Sequence, residues 1–259
     1  MILLIDIGNT SIVLGGMQNG SLLFTGRIAT HGEDLRNSLK TFLEKNNTAP
    51  EGISGAALAS VVPKATEQVL EALRQYGIED TMVINCHTDT GLTLDVDHPE
   101  TVGTDMIVGA AAAVSRCGAP VIMIDMGTAT TFSYVDAQKH YQGHIIMPGI
   151  RVSLDALLDK TAQLPPIELE VPPHIIGKNT PDAMKSGIMF GNAAMVDGIL
   201  DRIMEAYGVS DEEVGMIATG GLSPFVMELC RHEVIVDDDL LLKGLYEIWL
   251  RNHEMSGQS

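Results

Sequence analysis

Residues 2–8 read Ile-Leu-Leu-Ile-Asp-Ile-Gly, and residues 121–127 read Val-Ile-Met-Ile-Asp-Met-Gly. Each is a short apolar run ending in Asp-x-Gly, followed by small hydroxyl or amide residues: Asn9-Thr10-Ser11 in the first copy, Thr128-Ala129-Thr130-Thr131 in the second. A run of this length suits a buried strand, and glycine lets the turn after it pass close to a ligand. Two such units restrict the chain to folds built from two similar halves, each ending a strand in one carboxylate. A cleft shared by such halves suits a nucleotide with its metal.

The pattern between the two copies supports the division. Asn19-Gly20 separates the apolar segments 11–16 and 21–28, which predicts a hairpin. Leu35, Leu39, Phe42 and Leu43 recur at helical spacing, the apolar stretch 53–62 predicts a strand ending at Pro63, and a helix follows over 64–76. A further strand is expected at 81–84 and a helix at 102–116. The second half repeats this order: strands at 121–126, 131–136 and 140–147, then a helix from Ser153. After the proline-rich segment 164–177, Thr180 is expected to cap a long helix, with Pro181 at its first position and Gly208 at its end. A strand over 216–219 and a helix over 239–251 complete the set. Strands followed by helices, twice over, predict an α/β protein with an N-terminal domain over 1–117 and a C-terminal domain over 118–259.

Composition excludes several classes of function. The 259-residue chain carries 16 Lys and Arg against 34 Asp and Glu, a formal net charge of −18. Nucleic-acid binding needs clustered cations, so nucleic acid is not an expected partner. An anionic nucleotide must instead be met by backbone N–H groups, helix N-termini and a divalent metal. No apolar run reaches the roughly 18–20 residues that cross a bilayer, and no membrane association is expected. The N-terminus lacks the basic region of a signal peptide. Cys86, Cys117 and Cys230 are odd in number and widely spaced, which suits reduced thiols and a cytoplasmic location.

Asp6, Gly8, Asn9 and Thr10 form the first chemical constellation. They suit a phosphate-binding turn in which Asp6 holds Mg²⁺ directly or through water, or else an ordinary hairpin turn closed by an Asx hydrogen bond. The second copy, Asp125-x-Gly127-Thr128, favours the phosphate reading. Gly103-Thr104-Asp105-Met106 falls near a helix start, where a carboxylate meets the positive end of the helix field. On residue type alone, that Asp needs no further role. Gly220-Gly221 suits either a flat floor for a base or a plain turn. The sequence contains no HExxH, no Walker lysine loop and no CxxC pair.

Taken together, DIGNT at 6–10, SVVP at 60–63, GTD at 103–105, DMGTATTF at 125–132, MPG at 147–149, IGKNTPDAMKSG at 176–187, TGGLS at 219–223 and DLLLKGL at 239–245 resemble the type III pantothenate kinase family in order and spacing. The resemblance covers nearly the whole chain. It implies the actin and sugar-kinase fold: two RNase-H-like (actin-like ATPase) domains flanking a nucleotide cleft. It also implies ATP-dependent phosphorylation of the primary hydroxyl of pantothenate, the first step of coenzyme A biosynthesis. The family works as a homodimer with Mg²⁺ or another divalent cation, and with a monovalent cation, K⁺ or NH₄⁺. By position, the ATP-binding residues would be Asp6, Ile7, Gly8, Asn9, Thr10, Ser11, Ile12, Val13 and Thr128. Asp6 would serve Mg²⁺ and Asp125 the monovalent cation. Asp105 would be the catalytic base, and Gly103, Thr104, Asp105, Met106 and Thr180 would bind the substrate, with Thr180 reaching the partner subunit's site.

Three departures fall on the substrate side. The family pattern has Gly-Ala-Asp-Arg where this chain has Gly103-Thr104-Asp105-Met106, and the Met106 side chain cannot donate a hydrogen bond. A Tyr-x-Asn-Pro stretch is replaced by Val96-Asp97-His98-Pro99, and His144 stands where a second glycine is usual. His144 reads equally as a surface strand histidine. These changes leave open a kinase for another small hydroxylated substrate, or a nucleotide-binding regulatory protein without turnover. The residues on the ATP side and Asp105 are intact.

Overall fold

The apolar run Ile2–Ile7 forms β1, which pairs on one side with antiparallel β2 (Ser11–Gln18) and on the other with parallel β4 (Gly55–Ser60). Strand β3 (Ser21–Ala29) pairs with β2 across a two-residue turn in which Asn19 and Gly20 take φ of 50° and 75°. Positive φ at both positions matches the twist of a tight hairpin, which is why Asn-Gly predicts it. Helix α1 (Leu35–Lys45) starts where the Asp34 side chain accepts from the Asn37 N–H, and it buries the Leu35, Leu39, Phe42 and Leu43 stripe. Helix α2 (Pro63–Gln75) and strand β5 (Thr81–Val83) follow, giving the sheet order β3-β2-β1-β4-β5. After a short strand, β6 (Thr93–Leu94), comes helix α3 (Thr104–Cys117).

The computed structural model describes residues 1–32 and 34–256, and divides the chain into two compact units. The first contains residues 1–112 together with the chain from Asp239 onward; the second is Ala113–Asp238. In the second unit, β7 (Val121–Met126) pairs antiparallel with β8 (Ala129–Val135), which pairs with β9 (His140–Pro148). Helices α4 (Ile150–Lys160) and α5 (Thr180–Tyr207) lead to β10 (Gly215–Thr219), parallel to β7. Helix α6 (Ser223–Met227) then leads to β11 (Ile235–Val236), parallel to β10. These strands lie in the order β9-β8-β7-β10-β11, the order of β3-β2-β1-β4-β5 in the first unit. The repeated Asp-x-Gly run is therefore the visible part of a repeated topology, and the expected pair of RNase-H-like α/β domains is what the chain forms.

Each sheet has a helix-covered apolar face. In the first unit Leu3, Ile5 and Ile7 pack under α1 and α2, while Leu4 and Ala57 on the other face meet Val108 of α3 and Leu242, Leu245 and Trp249 of α7 (Leu240–Ser256). In the second, Ile122, Ile124 and Met126 pack with Phe132 under α5 residues Met189, Val196 and Leu200. Among the described residues no helix is long and apolar enough to cross a membrane.

The structure departs from the sequence expectation at several points. The units part at 112/113, within α3, rather than at 117/118, and α7 belongs with the first unit because its apolar stripe fills that sheet's second face. Helix α4 begins at Ile150, three residues before Ser153, with Gly149 as its N-cap. The cap of α5 is Asn179, not Thr180: its side-chain oxygen accepts from the Asp182 N–H at 2.9 Å, and Thr180 is the first helical residue. Helix α6 and strand β11 are too short to show as periodic patterns. Gly208 ends α5 as expected, at φ 65°.

Candidate active site

In the first unit the sequence-marked residues gather at the carboxyl ends of the parallel strands, the usual ligand edge of such sheets. Asp6 is the next-to-last residue of β1, buried, on the face that carries Leu4 and Val13 rather than the face of Ile5 and Ile7. Ile7 pairs with Ile12, leaving residues 8–11 as the turn. The Gly8 N–H donates to the Ser11 carbonyl at 3.1 Å. Thr30, at the end of β3, holds this turn twice. Its hydroxyl donates to the Gly8 carbonyl at 2.7 Å, and its N–H donates to the Thr10 carbonyl at 3.2 Å. Asn9 and Thr10 are left exposed at the tip, with Ser11 and Val13 half-buried. Ile7 and Ile12 are wholly buried, so only their backbone groups can face a phosphate.

Asp105 lies in the first turn of α3. One carboxylate oxygen accepts from the Met106 N–H at 2.8 Å, and a side chain at position 103 would strike that oxygen, so glycine there leaves room for the carboxylate. The Thr104 hydroxyl is bound to the peptide groups of Ser60, the last residue of β4. It accepts from the Ser60 N–H at 2.8 Å and donates to the Ser60 carbonyl at 3.0 Å. The neighbouring Val61 N–H donates to the Ile7 carbonyl at 3.1 Å. The turn after Asp6 and the start of α3 are thus fastened to adjacent strand ends.

In the second unit Asp125 occupies the same next-to-last place in β7, between Thr131 of β8 and Thr219 of β10. Met126 pairs with Thr130, so the turn 127–129 is one residue shorter than the turn 8–11. The Gly127 N–H closes it by donating to the Ala129 carbonyl at 3.0 Å. The start of α4 rests on this turn: the Gly149 N–H donates to the Thr128 carbonyl at 3.0 Å, and a Cβ at 149 would strike the Gly127 and Thr128 carbonyl oxygens. Gly220 takes φ 97° and its missing side chain would stand 2.6 Å from the Met126 carbonyl, which gives the Gly-Gly turn a packing role. Thr180 is exposed and borders an open groove of about 880 Å³ between α4 and α5, with Ser153, Leu157 and Ala183 on its walls. His144 is an exposed strand residue whose Nδ1 lies 3.2 Å from the Tyr141 hydroxyl.

Among the described residues no group of three or more His, Cys, Asp or Glu forms a metal-binding cluster. The available donors are single carboxylates, hydroxyls and carbonyls. Such a set fits Mg²⁺ shared with nucleotide phosphates, because that ion keeps most of its waters and takes one or two carboxylates from the protein. Burial pushes the Cys117 thiol up and the Cys230 thiol up to about 12, so neither is poised as a nucleophile. Thr30 and Ser60 were not marked as supporting residues by sequence reasoning. Thr30 carries no local signal; Ser60 lies in a quoted motif, but a bond to its peptide groups has no residue-type signature.

Residues 2–202 match the family model described as type III pantothenate kinase. The chain belongs to the type III pantothenate kinase family. A type III pantothenate kinase of Exiguobacterium sibiricum is 43% identical over 256 residues, covering 97% of this chain and 100% of that protein. Another, from Exiguobacterium sp., is 39% identical over 258 residues, covering 98% and 100%. Among solved structures, component A of (R)-2-hydroxyglutaryl-CoA dehydratase from Acidaminococcus fermentans superposes with a TM-score of 0.57. It covers 99% of both chains at 13% identity and shares the fold.

The contact between α4 and the second turn yields a stability prediction. Gly149→Ala should lower the free energy of unfolding by about 1–3 kcal/mol, as overpacking against immovable backbone does. Urea unfolding followed by circular dichroism measures this, and an unchanged midpoint would show that the turn can give way.

Proposed function

We propose that this chain transfers the γ-phosphoryl group of ATP to the primary hydroxyl of pantothenate, the step that opens coenzyme A biosynthesis. The observation that carries this reading is the placement of Asp105 at the same sheet end as the Asp6–Ser11 turn, within a chain 39–43% identical to type III pantothenate kinases. Phosphoryl transfer asks a protein chiefly for position and charge compensation. The backbone of the 8–11 turn and the Thr10 hydroxyl receive phosphate oxygens, and Thr128 also contacts ATP. Asp105 accepts the hydroxyl proton as the new O–P bond forms and the bond from Pγ to the β,γ-bridging oxygen breaks, releasing ADP. Asp6 would hold Mg²⁺, directly or through water, and Asp125 would hold K⁺ or NH₄⁺; when bound, these ions would supply positive charge against the phosphates. Gly103 and Met106 border the substrate, and Met106 offers it an apolar side chain.

Asp105→Asn should lower kcat for pantothenate by about 10²–10⁴-fold, the usual worth of a positioned general base, while leaving the KM for ATP nearly unchanged. An ADP-release assay with and without pantothenate checks this. Full activity in Asp105→Asn would remove the carboxylate from the mechanism, and equal rates in K⁺ and Na⁺ would remove the monovalent site.

The same reading includes a cytoplasmic homodimer in which Thr180 serves the partner's site. Three free cysteines accord with a reducing compartment. Ile175 and Ile176, close to Thr180 in the chain, are 62% and 76% exposed, as contact residues of a second subunit would be. Sedimentation at micromolar concentration should give a dimer that Ile176→Asp weakens; a wild-type monomer would contradict the arrangement.

A further inference from the structure

We propose that Thr104 is a positioning residue for the reaction: its hydroxyl sets the gap between the ATP-binding turn and the Asp105 carboxylate. This rests on the reading of the chain as a pantothenate kinase with Asp105 as base.

The path between the two groups is short and fully bonded. From the turn it runs through Ile7, whose carbonyl accepts from the Val61 N–H at 3.1 Å and which pairs with Ser60 across β1 and β4. Ser60 is held from a third side at the start of α2, where its Oγ accepts from the Val62 N–H at 3.1 Å and from the Thr66 hydroxyl at 2.6 Å. The Thr104 hydroxyl then binds the Ser60 N–H and carbonyl at 2.8 and 3.0 Å, and Asp105 is the next residue. One hydroxyl acting as donor and acceptor to the C=O and N–H of a single residue fixes both the distance and the rotation of the helix start.

The demand for such a tie comes from the chemistry. The attacking oxygen must lie about 3–3.5 Å from phosphorus, and a misplacement near 1 Å costs about 10²-fold in rate. Moving α3 moves the base against a nucleotide held by β1, so the loss falls on turnover and not on ATP binding.

Thr104→Val keeps the shape and removes both bonds; Thr104→Ala removes them without the extra methyl groups, in case valine disturbs folding. Each should lower kcat about 10- to 100-fold with the KM for ATP changed less than twofold. Thr104→Ser, which retains the hydroxyl, should recover most of the loss. Wild-type-like kcat in both hydroxyl-free variants, or a serine variant as impaired as valine, would overturn the positioning role. A wild-type protein that phosphorylates no pantothenate would refute the functional reading itself, and this inference with it.

Discussion

The Thr104 hydroxyl binds both peptide groups of Ser60, and through that residue the start of α3 is joined to the end of the central strands. An isolated helix terminus leaves its first N–H groups unpaired and free to shift. Here the same residue that begins the helix is a bonded part of the strand end, so the carboxylate after it inherits the rigidity of the sheet. The 8–11 turn, proposed to receive ATP, draws on the same sheet through Thr30, which donates to the Gly8 and Thr10 carbonyls. The turn and the proposed base are thereby tied to one sheet, that of the first unit.

The second unit repeats the topology without repeating the supports. Its turn after Asp125 is one residue shorter and is held from α4 through Gly149, where the first turn is held from β3 through Thr30. A duplicated strand–turn thus keeps its carboxylate at the strand end while its surroundings diverge. This difference in packing is the physical counterpart of the two roles proposed for Asp6 and Asp125.

Much of the fold was legible because it rests on local pattern. Apolar runs gave the central strands, Asn19-Gly20 gave the hairpin, and the Leu35–Leu43 stripe gave α1. The placement of α7 was not legible: Leu242, Leu245 and Trp249 announce an apolar helix face but not which sheet it covers. The cap of α5 slipped by one residue because Asn179 and Thr180 are both capping types and Pro181 suits either of the first two helical positions. The strand-end and helix-start places of Asp6, Asp105 and Asp125 were legible because carboxylates beside glycines are visible in a sequence. The Thr30 and Thr104 contacts could not, since a hydroxyl bonded to backbone carries no residue-type signature at its partner.

The most direct test of the account follows the phosphoryl group itself. Purified protein with ATP, Mg²⁺, K⁺ and pantothenate, observed by phosphorus NMR, should show the γ-phosphate signal of ATP replaced by a phosphomonoester on the primary hydroxyl of pantothenate. Loss of the γ-phosphate only to inorganic phosphate, or no loss at all, would contradict the assignment of this chain as a pantothenate kinase.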